Sequence, residues 1–372
     1  MGSWLRDRRN RGSETRLPEA VQRLLREEPR QLLTPERLPW LPTGNARPIL
    51  LVPTADYHLA EIVPLAEELN RRGIETQIAV GDSPWERTWR GLSSFSELEV
   101  FELPDPADVE KGVSAVVTMK DTGSMSNWVT EVRATGVPVI GKVEGAQDFW
   151  DADTPEARRP YRNLDLVLCQ GQFDADALAD RETAIVGSSR LERLWWAPPT
   201  IPPEEPLALI NLNFVYGVRT SDRRLWLETA IEGCDLAGIP YVVSVHPAEK
   251  SKLGPHMTRV SASSLLPHSS VLISRFSTMP LEAMAMGVPF IYHNPHGEMV
   301  KTFLKPHRSF ATTDKPTKLR TAIIDLISER LTFDRRSSSF FTEFVSIESE
   351  QTSGERAAER VGIFMALQDR SL

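Results

Sequence analysis

The sequence predicts an α/β protein of two doubly wound, parallel-sheet domains, and three observations carry that prediction. Short apolar runs alternate with segments of helical period from residue 49 to residue 196, the rhythm of βαβ units covered on both faces. The proline-rich tract APPTIPPEEP at 197–206 can continue neither a helix nor a central strand. A second alternating series begins at residue 207 and runs towards the C-terminus. A chain of 372 residues also exceeds what one hydrophobic core usually serves.

The elements follow in order. Residues 1–46 read as a leader, and Pro35, Pro39, Pro42, Gly44 and Pro48 mark the entry to the first domain. Ile49–Val52 is a continuous apolar run, as in a parallel strand buried on both faces. Leu59, Ile62, Val63, Leu65, Ala66 and Leu69 recur at helical spacing, and Gly73 stands where a helix C-cap belongs. Strands are expected at 74–80, 113–119 and 164–169, with a helix, a Gly-Val-Pro turn and a strand within VTEVRATGVPVIGKV. The first domain therefore spans 47–196, and 197–206 is the linker. Beyond it, LALINLNF, IPYVVSVHP, SSVLISRF and VPFIYHN read as strands. RRLWLETAIEGCDLAG, LEAMAMG, residues 313–332 and ERAAERVGIFMALQ read as helices. The second domain is assigned 207–372, closed by the last helix. Two such domains place the default ligand site in a cleft between them, beyond the carboxyl ends of the strands.

Composition narrows the partners. The net charge of −8 has the wrong sign for coating nucleic acid. Cys169 and Cys234 are too few for a disulfide scaffold or a cysteine-only zinc site, and read as buried thiols in a reducing cytoplasm. No apolar run reaches the roughly 18–20 residues that span a bilayer. The basic N-terminus lacks an apolar signal core, and Arg6 stands where a myristoylation pattern wants Ser or Thr. Residues 1–46 are expected to be a solvated leader or a docking arm for a complex or membrane surface. The expected location is cytoplasmic, with peripheral association at the inner face of the membrane as its extension.

Candidate chemistry gathers at strand ends. After the strand at 271–273, Ser277 and Thr278 precede a helix starting near Pro280, where backbone N–H groups and the helix dipole suit an anion. Glu282, in the first turn, stands where a ribose could be held; capping and dipole roles for these three residues are equally open. His246 ends a strand and is followed by Lys250, so an imidazolium and an ammonium are available to a departing phosphate. Asn211 and Asn213 end the first strand of the second domain, with phosphate or sugar contact and an Asx turn both open. Asp56 and His58 follow the first strand of the first domain, as a proton acceptor or as caps of the next helix. His293 lies after the strand following the Glu282 helix, a position suited to nucleotide contact. His293, His296 and Glu298 do not lie on one helix, and a proline interrupts them, so no metal site is expected.

The segment Ser277-Thr278, Leu281-Glu282-Ala283 and Gly287-Val288-Pro289 resembles the donor-nucleotide motif of GT-B glycosyltransferases. That resemblance implies two Rossmann-like domains facing across a cleft, with Glu282 on the ribose and Ser277 and Thr278 at the pyrophosphate. The strand-end His246-Pro247 with the downstream Ser-Thr resembles bacterial surface-carbohydrate transferases using CMP- or CDP-activated donors, which implies donor-phosphate contact by His246. Lys142-Val143-Glu144-Gly145 resembles the acidic-Gly motif of their sialyltransferase branch, which implies Glu144 as base. The expected activity is metal-independent transfer of a sugar from a nucleotide-sugar co-substrate, with no other cofactor, to a glycan or lipid-linked glycan. Two alternatives stand. The opening strand and helix resemble UDP-N-acetylglucosamine 2-epimerases, although Ala55-Asp56-Tyr57 and His246-Pro247 replace that family's Arg-Pro-Glu and His-Arg. A catalytically silent nucleotide- or carbohydrate-binding subunit is the other.

Overall fold

The computed structural model describes residues 17–26, 37–40, 47–80, 99–123, 125–145, 160–214, 220–246, 253–300, 303, 310–328 and 339–368. These residues group into two compact units, one formed by 37–198 with 339–368, the other by 199–328 with 17–26.

Helix α1 (Glu19–Arg26) is the first element among the described residues and buries Val21. The first unit then runs β1 (Arg37–Leu38), β2 (Ile49–Val52), α2 (Leu59–Arg71), β3 (Thr76–Val80), β4 (Val100–Glu102), α3 (Pro106–Gly112), β5 (Ala115–Thr118), α4 (Met125–Ala134), β6 (Val139–Lys142), β7 (Leu166–Cys169), α5 (Gln172–Ala177), β8 (Thr183–Ile185) and α6 (Ser189–Trp196). All pairs are parallel, in the order β1-β4-β3-β2-β5-β6-β7-β8. Every residue of β2, β5, β6 and β7 is buried, which is why these strands read as apolar runs rather than alternating ones, broken only at their ends by Thr118 and Lys142. Gly73 follows α2 at φ +79°, a left-handed conformation that ends a helix readily only with glycine.

The second unit continues with β9 (Ala208–Leu212), α7 (Arg223–Ala237), β10 (Tyr241–Val245), β11 (Met257–Thr258), α8 (Ala262–Leu265), β12 (Val271–Ser274), α9 (Met279–Met286), β13 (Phe290–His293), β14 (Ala311–Thr313) and α10 (Pro316–Ile327). Its parallel sheet has the order β11-β10-β9-β12-β13-β14, the doubly wound arrangement that reverses direction after its first two crossovers. The unit's core joins Ala208, Ile210 and Ile273 of the sheet to Trp226 and Ala230 of α7 and Leu319 and Ile323 of α10.

The C-terminus departs from expectation. Helices α11 (Ser339–Phe344) and α12 (Ser353–Gln368) pack on the first unit, not on the second as the 207–372 assignment had it. Ala357, Ala358, Val361 and Phe364 of α12 complete a core with Leu59, Ile62, Leu65 and Leu69 of α2. Gly354 lets the two helices approach, since a Cβ there would stand 3.0 Å from the Pro64 carbonyl oxygen. An amphipathic stripe announces that a helix packs, but not on which sheet. The boundary within 1–46 shifts likewise: β1 pairs with β4 as an edge strand, and the Trp40 indole N–H donates to Gln77 Oε1 at 2.9 Å. Among the described residues, no helix is long and apolar enough to cross a membrane.

Candidate active site

In the first unit the chain leaves the sheet in opposite directions after β2 and β5, which are neighbours. Loops following such a pair splay apart and leave a crevice at the strand ends. The loop after β2 carries Thr54, Tyr57 and His58, with a single 3-10 turn at Asp56–His58; the loop after β6 carries Glu144. The Thr54 backbone N–H donates to His58 Nδ1 at 3.1 Å. His58 Nε2 faces Glu144 Oε2 at 3.5 Å, and the Tyr57 hydroxyl donates to Glu144 Oε1 at 2.5 Å. The Tyr57 and His58 rings meet edge to face, 4.7 Å apart.

This wiring fixes protonation. A backbone N–H only donates, so Nδ1 of His58 presents its lone pair and Nε2, 3.5 Å from Glu144 Oε2, carries the hydrogen. Burial pushes the Glu144 carboxyl up, but the neighbouring His58, the Lys120 ammonium and the Tyr57 hydroxyl outweigh it and hold it below its ordinary value. His58, expected as a proton acceptor, is buried with its lone pair engaged by Thr54. Its other nitrogen faces Glu144. Of Asp56, only the backbone is among the described residues.

A second layer holds the Glu144 backbone. Its N–H donates to Tyr161 Oη at 2.8 Å, and Gln170 Nε2 donates to the carbonyls of Val143 and Glu144, each at 3.1 Å. Tyr161 sits at φ +63°, unfavourable for a non-glycine residue. Asp121 holds it there by accepting the Tyr161 N–H at 2.6 Å and the Asn163 N–H at 3.1 Å. Two residues before Glu144, the buried Lys142 ammonium donates to the Gly187 carbonyl at 3.0 Å and pairs with Glu61 Oε2 at 3.2 Å.

In the second unit the corresponding reversal lies between β9 and β12. Asn211, on β9, donates to Ser274 Oγ at 3.0 Å and to Ser277 Oγ at 3.2 Å. Ser277 Oγ also accepts the Met279 N–H at 3.2 Å, at the start of α9. Both lone pairs of that hydroxyl are thereby engaged, and its own hydrogen is left to donate. Pro280 fills the first turn of α9, and the left-handed Gly287 (φ +78°) ends it. Glu282 is buried, with Oε2 accepting from Ser263 Oγ at 2.7 Å. His246 stands half-buried directly after β10, and Thr278 half-buried directly before α9. Lys250 lies outside the described residues.

The loops after β9, β12 and β13 are tied by a group that the strand-end reading passed over. Arg275 is buried, with its guanidinium 4.3 Å from the Phe214 ring centroid and 4.5 Å from that of Phe276. It donates to the Asn213 carbonyl at 3.1 Å and to Glu298 Oε2 at 2.7 Å. Glu298 also accepts from the Tyr292 hydroxyl at 2.6 Å and lies 3.1 Å from His296 Nε2. Burial raises the Glu298 carboxyl, but His296, Arg275 and Tyr292 together hold it below its ordinary value. An arginine between Ser274 and Phe276, at the end of a fully buried strand, is the signal that would have found it, since a charge there demands a partner. Asn213 thus contributes its backbone carbonyl to this tie.

His293 does not fit its expected role at the nucleotide. The residue is fully buried, with Nδ1 2.9 Å from Thr313 Oγ1 and Nε2 3.0 Å from Thr229 Oγ1. Burial brings its imidazole down to about 3, so it is a neutral core residue that fastens α7 to β13 and β14. Among the described residues, no three His, Cys, Asp or Glu side chains converge as metal ligands.

The sequence matches no protein-family model and no curated protein. Solved structures do match. The UDP-GlcNAc 2-epimerase of Neisseria meningitidis, bound to UDP-GlcNAc, aligns over 86% of this chain and 100% of its own, with a TM-score of 0.57 at 12% identity. The MnaA–UDP structure from S. aureus aligns over 87% and 97%, with a TM-score of 0.58 at 11% identity. The spinosyn forosaminyltransferase SpnP aligns over 86% and 100%, with a TM-score of 0.51 at 15% identity. At such identities the likeness is one of architecture. Together with the two doubly wound parallel sheets, it identifies the arrangement as the GT-B fold, two Rossmann-like domains in one chain.

Proposed function

We propose that the protein is a sugar-nucleotide enzyme, and specifically a metal-independent glycosyltransferase that moves a sugar from a nucleotide-activated donor to a hydroxyl of a glycan or lipid-linked glycan. The observation that carries this reading is the Glu144 carboxylate, kept ionised among Tyr57, His58 and Lys120 beside the switch point of the first sheet. Glycosyl transfer to a hydroxyl needs a group to receive the acceptor proton as the new bond forms, and Glu144 is assigned that role. Donor binding is assigned to the second unit. There the Ser277 hydroxyl hydrogen, Thr278 and the first N–H groups of α9 suit the phosphates, with His246 and Lys250 supplying positive charge and Glu282 the ribose. The proteins of like fold are in part those solved with UDP-GlcNAc or UDP, which accords with a nucleotide-sugar ligand. The acceptor and a cytoplasmic site of action, docked through residues 1–46 to a complex or a membrane face, belong to the same proposal.

A thermal-shift screen of CMP-, CDP-, UDP- and GDP-sugars tests the reading, because a ligand that binds only the folded state raises the unfolding midpoint. One donor class is expected to raise it by several degrees. No shift with any of them would refute the proposal. An epimer formed from the responding donor without acceptor would replace transfer by epimerisation. Binding without turnover in any acceptor mixture would leave only a silent binding subunit.

A further inference from the structure

Resting on that reading, we infer that Tyr57 is the catalytic residue in contact with the acceptor, relaying the acceptor proton to Glu144. The three linked side chains are graded in depth. Tyr57 is 44% exposed, the Glu144 side chain 13% and the His58 side chain 1%. Both carboxylate oxygens already face groups of the protein, Oε1 the Tyr57 hydroxyl and Oε2 the His58 imidazole. Tyr57 is therefore the most exposed of the three side chains, and an acceptor approaching Glu144 is brought against it. The Tyr57 oxygen donates its hydrogen inward to Glu144, and as a hydroxyl it also has lone pairs with which to accept.

The step balances without another reactant. The acceptor O–H proton passes to Tyr57 Oη as the Tyr57 proton passes to Glu144 Oε1. The acceptor oxygen keeps its electron pair and bonds to the anomeric carbon, and the bond from that carbon to the donor phosphate oxygen breaks, its electrons leaving with the nucleotide. The phenol ends neutral and Glu144 ends protonated. Neutrality of the phenol at both ends explains how a weak base such as tyrosine serves without becoming a free phenolate. His58 does not touch the acceptor in this scheme. It is a positioning residue: the Thr54 N–H fixes its ring, and its Nε2 stands 3.5 Å from Glu144 Oε2. Among the described residues, the charged and titratable groups around the phenol are Glu144 and His58, with Lys120 acting on Glu144 from the loop after β5.

Two variants test the relay in the full chain. Tyr57→Phe keeps the ring against His58 and removes only the hydroxyl. It is expected to retain the donor-induced rise in midpoint and to lose roughly 10²–10⁴-fold in turnover, the usual range for a positioned acid–base group. Site-specific 3-fluorotyrosine at position 57 keeps the hydroxyl but makes it more acidic. It is expected to remain active, with the alkaline limb of its pH–rate profile moved to lower pH, which a purely structural hydroxyl would not do. Turnover of Tyr57→Phe within twofold of the parent, or an alkaline limb unmoved by fluorination, would overturn the relay alone. A parent protein that is neither stabilised nor used by any nucleotide sugar would overturn the functional reading beneath it.

Discussion

Lys142→Met should be among the most damaging single substitutions in the first unit. The Lys142 ammonium is fully buried, 3.2 Å from Glu61 Oε2 and 3.0 Å from the Gly187 carbonyl oxygen. Glu61, on α2, reaches the start of α6, where it accepts the Ser189 N–H at 2.9 Å and the Ser188 hydroxyl. Burial raises the Glu61 carboxyl, but Lys142 above all, then Ser188, Arg190 and Ser189, hold it below its ordinary value. Methionine removes the ammonium and leaves a buried carboxylate without its cation, a change that costs about 3–5 kcal/mol. At about 2–4 °C per kcal/mol for a unit of 150–250 residues, the first-unit transition should fall by roughly 6–20 °C. Differential scanning calorimetry reads it directly. The double variant Lys142→Met/Glu61→Gln removes both charges while an amide oxygen still accepts from Ser189, so it should recover a substantial part of the loss. A single variant within about 1 kcal/mol of the parent, or a double variant no better than the single, would refute the reasoning.

Two further outcomes follow from other parts of the first unit. Asp174 is fully buried on α5, with Oδ2 accepting the Gln170 N–H at 2.8 Å, and burial raises its carboxyl from 3.8 to about 7. A folded value above the unfolded one means stability is fullest below about pH 4 and declines as pH rises through about 7, by at most about 4 kcal/mol. Asp174→Asn should flatten that decline and unfold later than the parent at pH 8 in urea titrations; an unchanged pH dependence would count against it. Gly171→Ala would set a Cβ 2.4 Å from the Phe344 carbonyl carbon and 2.7 Å from the Glu343 carbonyl oxygen, backbone atoms that cannot rotate away. Overpacking of this kind costs about 1–3 kcal/mol. It should also speed proteolysis within α11, and parent-like denaturation and cleavage would show that the return segment does not seat there.

Much of the fold is legible in the sequence because parallel strands buried on both faces leave continuous apolar runs. Ile49–Val52 and the strand after Gly136-Val137-Pro138 are where the pattern puts them. The destination of the last helix is not legible, since Ala357, Ala358 and Val361 would suit any apolar groove. The site divides in the same way. Strand-end polar residues mark the loops correctly, because the topology gathers loops at that edge. Their roles depend on partners distant in sequence. His293 looks like a ligand contact until Thr229 and Thr313 take its two nitrogens. His58 looks like a base until the Thr54 N–H takes its lone pair. Lys142 and Arg275, charges on or just after buried strands, demand partners, but which carboxylates supply them, Glu61 and Glu298, is set only when other elements arrive. Tyr57 carries no motif at all; only its 2.5 Å bond to Glu144 and its exposure single it out.

The central claim is that Glu144 receives a proton in a reaction of a nucleotide-activated sugar. The most direct measurement is turnover of the stabilising donor by Glu144→Gln, at a donor concentration that saturates the parent and the variant alike. Glutamine keeps an oxygen for Tyr57 and His58 but is a far poorer proton acceptor. The account predicts a donor-induced midpoint shift equal to the parent's and turnover reduced by at least about 100-fold. Turnover equal to the parent's at full donor occupancy would contradict it.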